Sequence, residues 1–294
     1  MKLVWKEKKV FVSGQSGFIG RHLVAKLKDL QAQAQYFGID LLKDKLTVRD
    51  SFYPDYVFHV AAVAPASSDK VDFSKVIADN IAMTDNVLQY AKLSRSKVIV
   101  LSSSHVYPPL AGAAHSWKED EVEWGKAFSP YGLSKQKVEQ YGVDFSERNN
   151  LELLVVRLSN VYGPGDKSNR FIPTFIRKCL DKKTSLDVLG AKNIARDYIY
   201  IDDVIRGLTE SIDVLGYRPV INLGSGLGVT IGEIAEIIKK KLGRGKEKIN
   251  YKAEKDKEGL SNVLDSARVK ELTGFEAKTT LEAGLGKTIE WWIS

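Results

Sequence analysis

The chain has 294 residues, 44% hydrophobic and 28% charged, and its 44 Lys and Arg outnumber 37 Asp and Glu for a formal charge of +7. That composition excludes a disordered chain, and no apolar run approaches the roughly 18 residues of a membrane helix. One cysteine, Cys179, excludes an internal disulfide framework and a multi-cysteine metal site.

The length fits two domains or one large α/β unit. Met1 to Lys9 has no signal-peptide core, so a soluble cytoplasmic protein is expected. The positive balance suits anionic partners. Much of it sits in Lys239 to Lys257, nine basic and three acidic residues, which reads first as a solvated helix end and loop and second as a phosphate-attracting flap.

Val10-Phe11-Val12 is a short apolar run of the kind that forms a buried parallel strand, and Ile19, Leu23 and Leu27 mark one face of a following helix. Val57 to Ala62, Val98 to Leu101 and Leu153 to Val156 read as further buried strands. Ile81, Val87, Leu88 and Ala91 fit a helix between the first two, and Ser134 to about Arg148 fits another before the third. Alternating strands and helices predict an α/β fold with a Rossmann-type, doubly wound parallel sheet. After Gly163-Pro164-Gly165 the texture changes, with helical segments at Phe171 to Leu180, Ile231 to Leu242 and Leu281 to Trp292 among short strands. The expected division is a dinucleotide-binding domain over 1–165, to which part of 193–225 returns, and a smaller mixed α/β substrate domain over 166–294.

Gly14-Gln15-Ser16-Gly17-Phe18-Ile19-Gly20 joins the first strand to the first helix. Glycines at this spacing permit a sharp turn and a close backbone approach to a pyrophosphate, which the helix N-terminus then holds. Dinucleotide binding is therefore expected at Gly14, Ser16, Gly17, Phe18, Ile19 and Gly20. A carboxylate ending the second strand would bind the adenosine ribose, and Asp40 is the candidate. Only fourteen residues separate it from Asp55, too few for a third strand and a full helix. Asp40 can instead end the third strand, with Lys45 to Phe52 as the helix. NAD is the expected cofactor, with NADP open.

Tyr131 and Lys135 form a Y-x-x-x-K pair on one helical face. A neighbouring ammonium lowers a phenol pKa, and such a tyrosine exchanges a proton with an alcohol while a hydride moves to nicotinamide. Tyr251 with Lys255 has the same spacing and is read as incidental. Upstream of Tyr131 a strand ends Leu101-Ser102-Ser103-Ser104-His105-Val106-Tyr107, which puts the Ser103 hydroxyl at the ligand crevice.

With these residues the chain resembles the extended short-chain dehydrogenases/reductases, the NAD-dependent epimerase/dehydratase family acting mainly on nucleotide-diphosphate sugars. The landmarks run in order through the Gly14 loop, His59-Val60-Ala61-Ala62, Asn80, Ser103, and Tyr131 with Lys135. They continue through Arg157 to Gly165, Arg196 to Val204, and Asn222 to Gly226. The resemblance implies Ser103, Tyr131 and Lys135 as catalytic residues, with Lys135 also on the nicotinamide ribose. It implies Ala61, Ala62 and Asn80 at the cofactor, Asn160 and Arg196 at the substrate diphosphate, and structural roles for Asp202 and Asp203. A homodimer joined by helices of the first domain is a further expectation, with no nucleic-acid or membrane partner.

The resembling 4,6-dehydratases carry Asp-Glu after the catalytic hydroxyl residue, whereas this chain has Ser104 and His105, which disfavours dehydration. Ser102 to Pro108 and Arg170-Phe171-Ile172-Pro173 look somewhat like the GDP-fucose synthase branch, but His105 and Arg170 replace its Cys and His, which disfavours double epimerisation. Hydride chemistry at C4 remains, as a 4-epimerase or a 4-keto reductase, with Arg170 among the substrate-binding residues. His105 reads as a second proton carrier, a substrate contact, or a packed or solvent-facing imidazole. The alternatives are reduction of a non-sugar ketone and a non-catalytic dinucleotide- or RNA-binding relative.

Overall fold

A computed structural model of the chain describes residues 5–48, 52–64, 71–108, 110–111, 115–190, 192–216, 220–252 and 260–294. The first half alternates β1 (Lys9–Ser13), α1 (Phe18–Asp29), β2 (Gln33–Gln35), β3 (Tyr56–His59), α2 (Phe73–Ser94), β4 (Lys97–Ser103), α3 (Pro130–Asn149) and β5 (Leu153–Leu158). There follow β6 (Asn160–Tyr162), α4 (Phe171–Leu180), β7 (Ala195–Tyr200), α5 (Ile201–Glu210), β8 (Val220–Leu223), β9 (Gly228–Thr230), α6 (Ile231–Lys241), α7 (Ala267–Thr273) and α8 (Leu281–Ile293).

Six strands form one parallel sheet in the order β8-β5-β4-β3-β1-β2. Side chains alternate across it. Val10, Val12, Phe58, Ile99, Leu101, Leu154 and Val156 pack in one core layer with Leu23 and Leu27 of α1 and Val204 and Leu208 of α5. Phe11, Val57, Val98, Val100 and Val155 pack in the other with Val87 and Leu88 of α2 and Val138 of α3. Apolar side chains on both faces explain why the strands read as unbroken hydrophobic runs rather than alternating ones, and they make the sheet doubly wound as expected. A separate three-stranded sheet, β9-β7-β6, starts directly beyond β5.

The helix ends follow local chemistry. Asp72 and Ser129 accept hydrogen bonds from Lys75 N–H and Gly132 N–H at the starts of α2 and α3, while Arg95 and Asn150 take left-handed conformations at their ends. α3 therefore begins at Pro130, four residues before the apolar periodicity becomes visible at Ser134. Thr230 and Glu233 form a reciprocal capping box on α6.

Three expectations are corrected. β2 ends at Gln35, so Asp40 does not end the second strand. Asp40 does not end a third strand either. It opens a turn in which its Oδ1 accepts from Leu42 N–H at 3.1 Å and its Oδ2 pairs with Lys43 at 3.1 Å. Residues 45–48 form no helix, and 49–51 lie outside the described residues. In the described part of the twenty residues between β2 and β3, Phe37, Ile39 and Leu41 pack directly against the core as loop. Finally, β3 stops at His59, and Val60 to Ala62 leave the strand.

β1 has β2 on one side and β3 on the other, so the chain reverses its direction of travel across the sheet there. Gly14, Val60 and Ser104 directly follow the carboxyl ends of β1, β3 and β4, along the edge where ligands bind in open α/β sheets.

Candidate active site

The glycine loop is built for close approach. Gly14 has φ +73°, and a side chain there would meet Ala61 N at 2.6 Å. A side chain on Gly20 would run into the Gly14 carbonyl, so α1 could not start so near the turn. Gly17 begins α1 with no side-chain cap, and the first turn carries no acid. Its N–H groups thus remain for a ligand, and the partial positive charge there is not cancelled. Ser16 and Gly17 are exposed, and Phe18 and Ile19 are half-buried. This cradle fits a dinucleotide pyrophosphate.

The opposite wall of that cradle is set by a hydrogen-bonded chain. Thr84 Oγ1 donates to Asn80 O at 2.7 Å and accepts from His59 Nε2 at 3.0 Å. Ser13 Oγ then donates to His59 Nδ1 at 2.9 Å and accepts the Val60 and Ala61 N–H groups at 3.2 and 3.3 Å. Burial holds the His59 imidazolium down to about 3, so the ring is neutral. Asn80 brackets Val63 with both amide atoms and donates to Ser134 of α3 at 2.8 Å. Asn80 is 1% exposed, and its amide holds protein rather than facing the cleft.

Across the cleft, Ser103 ends β4 and its hydroxyl accepts the His105 N–H at 3.2 Å. Tyr131 and Lys135 lie on α3, the lysine nitrogen 5.9 Å from the tyrosine ring centre. α3 reaches the Ser103 turn because Gly132 has no side chain: a Cβ there would strike the His105 carbonyl. Lys135 Nζ donates to Leu101 O at 2.8 Å. Burial pushes Tyr131 up to about 12 against the pull of the Arg170 charge, and brings Lys135 down to about 8 against the pull of Glu139. The expected lowering of the tyrosine by its lysine is not what dominates here, because desolvation of both groups outweighs it. Tyr131 is a protonated acid at neutral pH.

His105 packs tilted against Phe128 and edge-on to Tyr131, with ring centres 5.1 and 6.1 Å apart. Burial and the Arg196 and Arg170 charges bring it to about 4. A neutral ring donates or accepts hydrogen bonds but does not carry a proton in from solvent.

The Arg196 guanidinium lies over Phe128, 4.8 Å from the ring centre, and Asn160 Nδ2 donates to Asp197 O at 2.9 Å, which fastens β6 to β7. Arg170 caps the approach to α4. It pairs with buried Asp166 at 3.0 Å and lies 6.0 Å from the Phe18 ring of the glycine loop. The cleft thus brings together Ser103, His105, Tyr131, Lys135, Arg170 and Arg196. Asp40 stays in its own exposed turn. Asp203 accepts from Lys278 and Thr279 N–H and pairs with Arg206, while Asp202 is exposed.

The sequence reading passed over several supporting residues: Ser13, Thr84, Gly132, Glu139 and Asp197. Asp197 is fully buried and accepts four hydrogen bonds from Ser225, Gly226 and Leu264, which shapes the turn after β8. The glycine beside Tyr131 and the acid four residues after Lys135 were visible signals. In the basic run, Lys239 and Arg244 are buried and tie down backbone carbonyls of Glu247, Lys178, Asp181 and Thr184, so neither reading of that run fits them. Lys255 of the second Y-x-x-x-K lies outside the described residues.

The profile of the "NAD dependent epimerase/dehydratase family" matches residues 10–224. A UDP-glucuronate 4-epimerase of Thermodesulfobacterium geofontis is 30% identical over 261 residues, covering 87% of this chain and 79% of that protein. A dTDP-4-dehydro-6-deoxy-D-allose reductase of Streptomyces bikiniensis is 29% identical, covering 98% of this chain and 97% of that one. The structure of MoeE5 in complex with UDP-glucuronic acid and NAD superposes with a TM-score of 0.85 at 27% identity, covering 97% of this chain and 98% of the other.

Proposed function

The chain belongs to the NAD dependent epimerase/dehydratase family, and on that premise we propose that it moves a hydride at C4 of a nucleotide-diphosphate sugar, with Tyr131 as the acid–base residue. The observation that carries this reading is the convergence of Ser103, Tyr131 and Lys135 at the end of β4, opposite the glycine cradle. Bound nicotinamide supplies the acceptor and donor of the hydride. Residues 14 to 20 hold its pyrophosphate, with Ala61 and Ala62 beside it. Asn80 contributes by fixing the wall. Asp40 is kept as the candidate for the adenosine ribose, and the choice between NAD and NADP belongs to the test below.

Ser103 donates its hydroxyl to the reacting sugar oxygen and orients it. Tyr131, once ionised to the phenolate beside the Lys135 ammonium, takes that oxygen's proton when the alcohol is oxidised, and as the phenol it returns one when the ketone is reduced. Lys135 places a positive charge beside the phenol and reaches the nicotinamide ribose. Arg196, Asn160 and Arg170 face the diphosphate and sugar, where guanidinium matches phosphate oxygens bidentately. His105 contacts the sugar as a neutral hydrogen-bond partner. The division near residue 165 into cofactor-binding and substrate-binding parts, and a homodimer through α2 and α3, belong to the same proposal.

A 4-epimerase is the first form of this reading, in keeping with the similar UDP-glucuronate 4-epimerase. A 4-keto reductase is the second, favoured by the protonated state of Tyr131, which suits proton donation to a ketone. The test is to denature the purified protein and identify any released nucleotide, then to follow C4 epimers of UDP-sugars by NMR. Retained NAD with interconversion of epimers supports the epimerase. An empty protein that oxidises NADH or NADPH with a 4-keto sugar nucleotide supports the reductase. A protein that neither holds nor binds a dinucleotide overturns both.

A further inference from the structure

We propose that Glu139 is a positioning residue: its buried carboxylate, one helical turn beyond Lys135, keeps the Lys135 ammonium charged inside the apolar wall and anchors the end of β4 that presents Ser103. The proposal rests on the reading of Ser103, Tyr131 and Lys135 as the reacting set.

Glu139 and its partner Arg157 are each 1% exposed, at the interface of α3 and β5. Arg157 Nη2 donates to Glu139 Oε2 at 2.7 Å, and Arg157 Nε donates to Oε1 and Oε2 at 3.0 and 3.2 Å. The Ser102 hydroxyl also donates to Oε1, so the carboxylate grips the residue directly before Ser103. Arg157 Nη1 is spent on Tyr107 OH at 2.9 Å and Glu119 O at 2.8 Å, and Tyr107 OH donates on to Asn222 Oδ1 at 2.7 Å. Ser102 of β4, Arg157 of β5 and, through Tyr107, Asn222 of β8 thus hold the carboxylate in place.

A buried ion pair is weak evidence of stabilisation, because desolvation of two charges offsets their attraction. Its placement says more. Lys135 is 5% exposed and faces Tyr131 and Glu139 on its own helix, neutral His59 on β3 and the Leu101 carbonyl on β4. Arg157 on β5 stands beyond Glu139. Burial drives Lys135 toward the neutral amine, and Glu139 is the acid that opposes it. Spacing of four residues puts Glu139 on the same face of α3 as Lys135, where its negative charge opposes the effect of burial.

The test measures the pH dependence of kcat together with the pH dependence of Lys135 modification by an amine-directed reagent, read by peptide mass spectrometry, for Glu139→Gln and Glu139→Asp. The expected result for Glu139→Gln is an alkaline limb and a labelling midpoint that both move down by about half a pH unit or more. Glu139→Asp, which shortens the side chain but keeps its charge, returns both toward wild type. Glutamine keeps the length of the side chain and aspartate does not, so a merely structural role would favour the glutamine variant, the reverse of the expected order. Should Glu139→Gln fail to fold, the Glu139→Gln/Arg157→Met pair, which removes both charges, is read by the same labelling. An unchanged midpoint, or equal shifts in Gln and Asp, overturns the proposal. Full turnover in Tyr131→Phe would instead overturn the underlying reading of the site, whatever Glu139 does.

Discussion

The Ser129 hydroxyl lies 2.9 Å from His105 Nδ1 and also accepts the Gly132 N–H at 3.1 Å, so the residue that caps the Tyr131 helix also fixes the imidazole beside it. The hydroxyl proton has no other acceptor among the described residues and goes to Nδ1, which leaves the ring proton on Nε2. His105 then presents a neutral N–H donor. Nitrogen-15 NMR of labelled protein is expected to show the Nε2-protonated tautomer with no titration between pH 5 and 8, roughly the window of an ordinary histidine. His105→Ala is expected to lower kcat/KM by about tenfold without adding a limb to the pH profile, as loss of one substrate hydrogen bond would do.

Tyr131→Phe is expected to lower kcat by about 10²–10⁴-fold while leaving thermal stability and dinucleotide binding near wild type. Removing the Arg170 charge acts on the same phenol with a definite sign. A cation lowers a phenol pKa, so Arg170→Ala raises that of Tyr131 above its present value of about 12. In the resting protein an ultraviolet titration of the phenolate, with Tyr131→Phe subtracted, is expected to move to higher pH.

Gly132→Ala forces a methyl group into the His105 carbonyl. Overpacking of this kind costs about 1–3 kcal/mol and here has one soft outlet, displacement of α3 from the Ser103 turn. The melting temperature is expected to fall and kcat to fall with it. By contrast, Gly125 meets nothing within 4 Å, and its φ of +87° alone makes Gly125→Ala mildly destabilising.

His59 makes acid stability pH-dependent. Its folded pKa is about 3, against about 6.5 in an unfolded chain. Between those values the unfolded state binds a proton that the folded state refuses. The stabilisation is therefore complete above pH 6.5 and is lost progressively as pH falls toward 3, at up to about 1.4 kcal/mol per pH unit for this group. Urea unfolding at pH 7.5, 6 and 5 is expected to show this slope, and His59→Gln is expected to flatten it. Ser13→Ala, which strips partners from His59 Nδ1 and from the Val60 and Ala61 N–H groups, is expected to cost about 1–3 kcal/mol at neutral pH.

Sequence alone determined the parallel, doubly wound sheet, because Val98 to Leu101 and Leu153 to Val156 are apolar at every position and only a strand covered on both faces uses such a run. The Gly14 loop and the Tyr131–Lys135 helix were equally legible, since a tight turn and one helical turn are local geometries written in adjacent residues. What followed β2 was not: the residues after Asp40 could not reveal whether they made strand, helix or loop, and in their described part Leu41 and Val48 pack against the core as loop. Ionisation states were also decided only by the tertiary structure. Whether a phenol or a lysine keeps its ordinary pKa depends on burial and on charges brought from distant parts of the chain. Nothing within the Tyr131 motif says that Arg170, thirty-nine residues on, will face it, or that Arg157 will close over Glu139.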